Sequence, residues 1–296
     1  MYWMMNQVNS SYAIDSELIA DWLELSLLSQ SDNAIGYEKL KSIASEELNL
    51  PTHRIDVALN VVKRRSEILL DNYPFEIRSV GMVKRSNCHS LPYVYLLRIS
   101  SGANHEYSLA LDENSRRVEN FENLVVVAMR NLLGEGSKAL RFGFPSEDRP
   151  VEFPKAIEWL SSRMGITSGQ AYRPPRRKDG GVDVVAWRPF RDKRNGFPVY
   201  LVQVTCEREY AHKVFDIDLR LWSGWLNLDT DPVSVLAVPT TISPGEEWNE
   251  ISSRVVVLER IRICELLALS QVVVETITET RNTTWKFKSL NETDYV

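Results

Sequence analysis

The chain has 296 residues, of which 44% are hydrophobic and 25% charged, and its formal net charge is -5 at pH 7. This composition is typical of a soluble globular protein, and the acidic balance excludes binding of nucleic acid by overall charge while leaving room for a local basic patch. The sequence has no apolar run of about 18 residues, no signal-peptide pattern and no CxxC pair, so it predicts a cytoplasmic protein without a membrane span or structural zinc.

The N-terminal part of the chain is predicted to be a helical module over residues 1–105. Hydrophobic spacing and strand-forming residues predict three helices and then two strands, over residues 14–30, 37–48, 52–70, 75–83 and 93–100. The polar segment 84–90 is expected to be the turn between those strands. This order of elements is that of a winged-helix module.

Basic residues of this module allow two interpretations. The third predicted helix and the turn carry Arg54, Lys63, Arg64, Arg65, Lys84 and Arg85. In one interpretation these side chains contact DNA phosphates. In the other they form an ordinary solvated face, since winged helices also serve as protein-docking modules.

The rest of the chain, residues 106–296, predicts a second domain of mixed α/β (α+β) class. Helices are expected over residues 118–133, 154–164 and 213–225, and strands around Asp183 and over 199–205 and 233–238. A loop-like segment at residues 101–105 marks the expected boundary between the domains.

Two neighbouring predicted strands carry polar residues at positions that would share a face. Asp183 lies in a Val-rich segment that follows two glycines, and Gln203 and Thr205 are two apart on the next strand. A carboxylate buried without a partner is costly, so Asp183 is expected to be paired, metal-bound or facing a cleft. The alternative is that backbone N–H groups of the preceding glycines satisfy it.

An acid on one strand that faces a polar-x-polar pair on the next resembles the PD-(D/E)XK, or restriction-endonuclease-like, superfamily. The segment Phe121-Glu122-Asn-Leu-Val also matches the first helix of many such nucleases, and the resemblance covers about residues 114–238. It implies a mixed sheet flanked by helices. The sequence departs from the family at Thr205, where a lysine is usual.

The resemblance implies a site for Mg²⁺ or Mn²⁺. Its catalytic residues would be Glu122, Asp183, Gln203, Thr205 and Lys213. The metal ligands would be Glu122, with Glu119 as the alternative, together with Asp183 and the Val204 carbonyl, because magnesium prefers hard oxygen ligands. Lys213 would replace the missing lysine from the following helix; the alternative for Lys213 is a plain surface residue, and for Glu122 a solvated helix acid.

Basic residues flank the Asp183 strand in a protein that is acidic overall. Residues 172–194 contain eight Lys or Arg and three Asp. The predicted nucleic-acid-binding residues are Arg173, Arg176, Arg177, Lys178, Arg188, Arg191, Lys193 and Arg194. Such a cluster suits a phosphate backbone, whereas the alternative is a loop that only improves solubility.

The resemblance therefore predicts metal-dependent hydrolysis of phosphodiester bonds in nucleic acid, with double-stranded DNA as the expected substrate. The chain would be the nuclease subunit of a bacterial defence or restriction-type complex. Because it has no NTPase motif, a separately encoded partner such as an ATPase is expected. One alternative is a catalytically decayed subunit that binds nucleic acid or protein, and another is a winged-helix regulator with an appended sensor domain.

Overall fold

The computed structural model describes residues 15–100, 111–146, 148–170, 173–175, 178–279 and 282–289. The chain is a mixed α/β protein, as predicted, and it forms two compact units. The first unit comprises Met1–Arg117, Pro239–Pro244 and Glu259–Val296, and the second comprises Val118–Val238 and Gly245–Leu258. The predicted boundary between residues 105 and 106 lies outside the described residues. In the described part of the chain, no helix has both the length and the apolar character that crossing a membrane requires.

The elements are numbered in chain order. The helices are α1 (Ser16–Ser29), α2 (Tyr37–Leu48), α3 (Thr52–Leu69), α4 (Pro92–Ser100), α5 (Leu111–Leu133), α6 (Phe153–Met164), α7 (Leu219–Leu226), α8 (Glu246–Ser252) and α9 (Arg260–Ala268). The strands are β1 (Ala34–Gly36), β2 (Phe75–Arg78), β3 (Gly81–Lys84), β4 (Lys138–Arg141), β5 (Val184–Trp187), β6 (Val199–Val204), β7 (Val233–Ala237), β8 (Val256–Leu258), β9 (Val272–Glu279) and β10 (Asn282–Ser289).

The first unit contains an antiparallel sheet of order β1-β3-β2 and the separate β9–β10 hairpin. The prediction of one strand over residues 75–83 was wrong, because the hairpin β2–β3 turns within that segment at residues 79–80. Gly81 allows the close pairing with β1, since a Cβ there would lie 2.2 Å from the carbonyl oxygen of Ile35.

The prediction of a second strand over residues 93–100 was also wrong, because this segment is helix α4. Periodicity alone does not separate a buried strand from a buried helix when apolar residues are continuous. Pro92 occupies the first helical position, which suits its fixed φ and missing N–H. Nearly every side chain of α4 is buried, so tertiary packing decides the conformation.

Arg65 of α3 is buried and does not form part of a solvated basic face. Its guanidinium donates to Glu17 Oε2 at 2.6 Å and to Glu24 Oε1 at 2.9 Å. Arg260 makes a two-bond pair with Asp21 at 2.8 and 2.7 Å in the same unit. Burial alone would raise the pKa of Asp21, but the charges of Arg260 and Arg65 hold it below its usual value. The interpretation of Arg65 as a phosphate contact is therefore wrong.

The second unit contains a sheet of order β4-β5-β6-β7-β8. Strands β4, β5 and β6 are antiparallel neighbours, whereas β6, β7 and β8 run parallel. The single helix predicted over residues 213–225 is instead a 3-10 turn, Tyr210–Phe215, followed by α7. Asp218 causes this division, because its carboxylate caps α7 by accepting from the N–H groups of Arg220 and Leu221.

An aromatic cluster packs against the sheet of the second unit. Trp222 of α7 is fully buried, and its ring centroid lies 5.4 Å from that of Phe142 and 5.5 Å from that of Trp225. The indole N–H of Trp222 donates to the carbonyl of Gly180 at 3.1 Å. Through this hydrogen bond the aromatic cluster stabilises the turn that leads into β5.

Candidate active site

Asp183 lies directly before β5 and is held by backbone hydrogen bonds on both sides. Its N–H donates to the Val202 carbonyl at 2.9 Å, and its carbonyl accepts from Phe142 N at 2.6 Å and Gly143 N at 2.9 Å. Asp183 therefore extends the ladder between the end of β4 and the end of β6. This pairing places the Asp183 side chain at the end of the sheet where β6 ends.

The Asp183 carboxylate uses one of its oxygens for protein donors. Oδ2 accepts from Gln203 Nε2 and from the backbone N–H of Val204, both at 2.7 Å. The Gln203 amide also donates to the Val204 carbonyl at 3.3 Å. The end of β6 thus orients the carboxylate, and the oxygen Oδ1 remains directed at the neighbouring chain segment of Gly143.

Glu122 reaches the same place from α5. Its side chain is buried, and Oε2 accepts from Arg141 Nε at 2.8 Å. Arg141, on β4, also donates to Glu119 Oε1 at 2.5 Å. The two acids proposed as alternatives are therefore bridged by a single guanidinium.

Glu122 and Asp183 converge on Gly143. A Cβ built on Gly143 would lie 3.1 Å from Glu122 Oε1 and 3.2 Å from Asp183 Oδ1. The two oxygens are therefore separated by no more than the sum of those distances. A side chain at position 143 would occupy the space beside both oxygens, which glycine leaves open.

Both carboxyl groups have raised pKa values. For Glu122, burial raises the pKa and the hydrogen bond from Arg141 opposes it. For Asp183, burial raises the pKa well above its usual value, and the charge of Glu122 adds to the effect. Two acids this close favour either a shared proton or a bound cation.

The oxygen atoms present fit a hard cation with few protein ligands. Gln203 Oε1 is buried and, within the described residues, has no hydrogen-bond partner. Glu122 Oε1 and Asp183 Oδ1 provide two carboxylate oxygens that converge on Gly143, as in sites where magnesium keeps several waters. Gln203 Oε1 is a neutral oxygen on the residue whose amide nitrogen donates to the Asp183 carboxylate. No cluster of three or more His, Cys, Asp or Glu suited to a metal occurs in the described ranges.

Thr205 and Lys213 have different environments. The Thr205 hydroxyl is buried and accepts from the N–H of Glu207 at 3.1 Å, which makes it part of a turn. Lys213 is nearly buried in the 3-10 turn, and its ammonium lies 2.9 Å from Glu207 Oε1. Its charge lowers the pKa of Asp183 against the larger effect of burial, so Lys213 lies within electrostatic reach of the site.

Sequence reasoning missed three residues of this site: Arg141, Gly143 and Asp179. Arg141 is the last residue of β4 and Gly143 lies two residues beyond it, in a short segment that no periodic pattern distinguishes. Asp179 precedes the glycine turn, and its charge raises the pKa of both Glu122 and Asp183. The Asp-Gly-Gly sequence predicts a turn there but not its nearness to α5.

The predicted nucleic-acid-binding residues fall into separate groups. Arg173 and Lys178 precede β5, on the Asp183 side, and Lys178 Nζ lies 4.4 Å from the ring centroid of Phe144. The residues Arg188, Arg191, Lys193 and Arg194 lie in the β5–β6 turn, at the opposite end of β5. A rise of about 3.3 Å per residue puts Arg188 roughly 16 Å from Asp183 along the strand. Arg176 and Arg177 lie outside the described residues.

Comparisons with known proteins found no counterpart. No protein-family model matches the chain, and no curated protein or solved structure is significantly similar to it.

Proposed function

We propose that the second unit is a metal-dependent nuclease of restriction-endonuclease-like fold that hydrolyses phosphodiester bonds, with double-stranded DNA as its substrate. The observation that carries this proposal is the convergence of Glu122 Oε1 and Asp183 Oδ1 beside Gly143. Two carboxylates with raised pKa values, beside a space that a side chain at position 143 would fill, favour a bound divalent cation.

The topology of the sheet supports the same proposal. An acid-bearing helix, α5, precedes three antiparallel strands, β4 to β6, and β7 then adds in parallel beside β6. Asp183, directly before β5, and Gln203, on the neighbouring strand β6, lie at the same end of the sheet. This is the arrangement of helix and strands that the resemblance to the PD-(D/E)XK superfamily implies.

Glu122, Asp183 and the Gln203 amide oxygen would hold Mg²⁺ or Mn²⁺, with the Val204 carbonyl as a further oxygen. Bound there, the cation supplies charge stabilisation at the phosphoryl oxygens and a lower pKa for its water. The protein orients Asp183 through Gln203 Nε2 and the Val204 N–H.

Positive charge in the site comes from side chains other than the usual lysine. Lys213 lies within electrostatic reach of Asp183, and Arg141 lies against Glu122. Both stabilise negative charge that builds up on the phosphate during hydrolysis. Lys213 is held by Glu207 at 2.9 Å, so it acts as a fixed charge near the site.

The test is incubation of plasmid DNA and Mg²⁺ or Mn²⁺ with the complex purified from the native host, comparing complexes that contain wild-type protein, Asp183→Ala or Gly143→Ala. Gly143→Ala keeps both carboxylates but places a methyl group 3.1 and 3.2 Å from their oxygens. We expect the complex with wild-type protein to cut and both variant complexes to lose activity. Metal-dependent cutting that is equal in all three complexes would refute the assignment of this site.

A catalytically decayed scaffold is the second candidate. It is favoured by the ion pair of Arg141 with Glu122, which puts an internal cation beside one acid, and by Thr205, whose hydroxyl is used in a turn. Isothermal titration with Mn²⁺ separates the two: a nuclease binds the ion through Asp183, whereas a scaffold held together by Arg141 does not.

The first unit is proposed to be a winged-helix-like module. Its elements follow the order α1-β1-α2-α3-β2-β3, and its sheet has the order β1-β3-β2. Arg65 is buried, and Lys84 donates to the Gln30 carbonyl at 2.7 Å. Arg64 and Arg85 form ion pairs with Glu17 and Asp71, so at least four of the six basic residues have partners within the protein. This favours docking of a partner in a cytoplasmic bacterial defence complex, with an ATPase as the expected associate, over the alternative of a DNA-binding regulator with a sensor domain.

The complex is tested by purification from the native host, followed by cleavage assays on the isolated chain and on the complex. We expect cleavage by the complex and little by the chain alone. Robust cutting by the isolated chain, with no ATPase recovered, would contradict the proposed role as a subunit.

A further inference from the structure

Arg149 is a buried arginine whose guanidinium is only partly satisfied. The residue is 4% exposed, and its Nη2 donates to the Lys178 carbonyl at 3.1 Å. Its other nitrogens, Nε and Nη1, are buried and have no hydrogen-bond partner in the part of the chain that the structure describes. Arginine keeps its proton in proteins, so these N–H groups stay charged donors without an acceptor.

Such an arrangement is unfavourable in the free protein. A buried donor without a partner destabilises the folded protein, and a charged donor does so more strongly. Burial lowers the pKa of Arg149, and the nearby charge of Asp179 compensates only in part. An anion with several acceptor oxygens would satisfy both nitrogens.

The guanidinium lies beside the chain segment that borders the two carboxylates. Its Cζ is 4.4 Å from the ring centroid of Phe142 and 5.7 Å from that of Phe144, the residues on either side of Gly143. The ammonium of Lys178 lies 4.4 Å from the same Phe144 ring. Two cations therefore gather around Phe144, next to the position where Glu122 and Asp183 converge.

We propose that Arg149 and Lys178 form a subsite that binds one phosphate group of the nucleic-acid substrate next to the carboxylate pair. This inference rests on the proposed function and identifies the group that holds the substrate backbone there. The planar fork of a guanidinium matches the oxygens of a phosphate, and the lysine adds a point charge. Because Nε and Nη1 are covered, the phosphate displaces neighbouring atoms as it enters.

The test measures binding of a short fluorescein-labelled DNA duplex by anisotropy over a series of KCl concentrations. All proteins carry Asp183→Asn to prevent cleavage, and to this background Arg149→Met or Lys178→Gln is added. We expect each change to weaken binding by about tenfold or more, and to reduce the salt slope by about one phosphate contact.

Arg163→Met is the matched control. Arg163 has the same guanidinium-over-ring geometry, with Cζ 4.4 Å from the ring centroid of Trp159, but its side chain is exposed on α6. We expect binding unchanged from the background protein. Equal losses from Arg163→Met and Arg149→Met would indicate a general charge effect and overturn the subsite.

Stability distinguishes a binding role from a structural one. If the unpaired donors serve a ligand, Arg149→Met leaves the thermal unfolding temperature unchanged or raises it. If Arg149→Met does not fold, the binding test rests on Lys178→Gln, because the exposed side chain of Lys178 does not support the core. Unchanged DNA binding by Lys178→Gln, with Arg149→Met unfolded or also unchanged, overturns the proposal.

Two further measurements complete the test. One distinguishes free phosphate from a phosphate of nucleic acid, and the other distinguishes failure of the proposed hydrolysis from failure of the subsite. Stabilisation of wild-type protein by inorganic phosphate, lost in Arg149→Met, together with DNA binding that neither variant changes, would overturn the assignment to nucleic acid. Absence of cleavage by the complex that contains wild-type protein, with DNA binding still weakened by both variants, would refute hydrolysis but support the subsite.

Discussion

At the scale of single residues, the candidate site holds two neighbouring carboxyl groups whose charged forms are unfavourable. Burial raises the pKa of both Glu122 and Asp183, and the charge of Glu122 raises that of Asp183 further. Protein donors satisfy Asp183 Oδ2, whereas Oδ1 is directed towards Glu122 across the Gly143 position. The proposed divalent cation would relieve this repulsion, so metal binding and stability would be linked at these two acids.

We expect Asp183→Asn to stabilise the metal-free protein by about 0.5–2 kcal/mol, because it removes a disfavoured charge while the amide oxygen still accepts from Gln203 and Val204. The same change removes Mn²⁺ binding. Urea unfolding and calorimetric titration measure the two effects. The control is Asp192→Asn in the exposed β5–β6 turn, which should alter neither. A loss of stability with full retention of Mn²⁺ binding would contradict the assignment of Asp183 as a ligand.

At the scale of elements, the turn before β5 places Asp183. Gly181 has a φ of +79°, and a Cβ there would lie 2.4 Å from the Asp216 carbonyl oxygen. Asp179 Oδ1 accepts from the N–H of Gly181 at 2.8 Å and stabilises the turn. The glycine is therefore required by both backbone conformation and close approach of another segment.

Gly181→Ala and Gly196→Ala separate these two requirements. Gly196, in the β5–β6 turn, has nearly the same φ of +80° but no atom within 4 Å of a built Cβ. We expect Gly196→Ala to cost about 1–2 kcal/mol from backbone strain alone. Gly181→Ala should cost about 1–3 kcal/mol more from overpacking. Equal losses in urea unfolding would mean that the chain around Asp216 relaxes without cost.

At the scale of the whole molecule, the first unit joins segments that are far apart in sequence through a buried ion network. Arg65 of α3 lies against acids of α1, and Arg260 of α9 binds Asp21 across more than two hundred residues of chain. Buried charges of this kind are costly unless every partner is present. The network therefore makes the C-terminal segment part of the same folded unit.

Arg65→Ala should destabilise the protein by about 3–5 kcal/mol, because it leaves Glu17 and Glu24 without their buried partner. Its neighbour on the helix is the control: Arg64 is half-exposed and pairs with Glu17 at 2.7 Å. Arg64→Ala should cost no more than about 1 kcal/mol. Thermal and urea unfolding of both variants measure the difference, and comparable losses would show that the burial of Arg65 is of no special consequence.

Glu259, directly before α9, gives the first unit a pH-dependent stability. Burial raises its pKa from 4.5 to about 7, with the charges of Arg260 and Arg65 acting in the opposite direction. Between those values the native state binds more protons than the unfolded state, so stability falls as pH rises through that window. Below pH 4.5 the contribution is fully present, and above about pH 7 it is lost.

Glu259→Gln should therefore flatten the loss of stability between pH 4.5 and about 7. At pH values above the window we expect the variant to be more stable than wild type by roughly 3 kcal/mol. Unfolding in urea over a pH series measures this, with Glu265→Gln on the exposed face of α9 as the control. Parallel pH profiles for wild type and Glu259→Gln would contradict the raised pKa.

The sequence by itself determined the local elements and the polar positions on them. Helical spacing identified α1, α2, α3, α5 and α6, because this pattern depends on near neighbours in the chain. Two apolar runs of strand length on either side of a turn likewise identified the strand pair beside Asp183 and Gln203. The sequence did not distinguish helix from strand over residues 93–100, where a continuous apolar run fits both.

Only the tertiary structure decided which distant residues meet. It brought Arg141 and Gly143 to Glu122 and Asp183, buried Arg65 among the acids of α1, and separated Arg188 from the acid site by the length of β5. No spacing in the sequence encodes these distances, because they follow from how strands and helices pack across long stretches of chain. The identity of a side chain is local, whereas its burial, its partner and its charge state belong to the folded molecule.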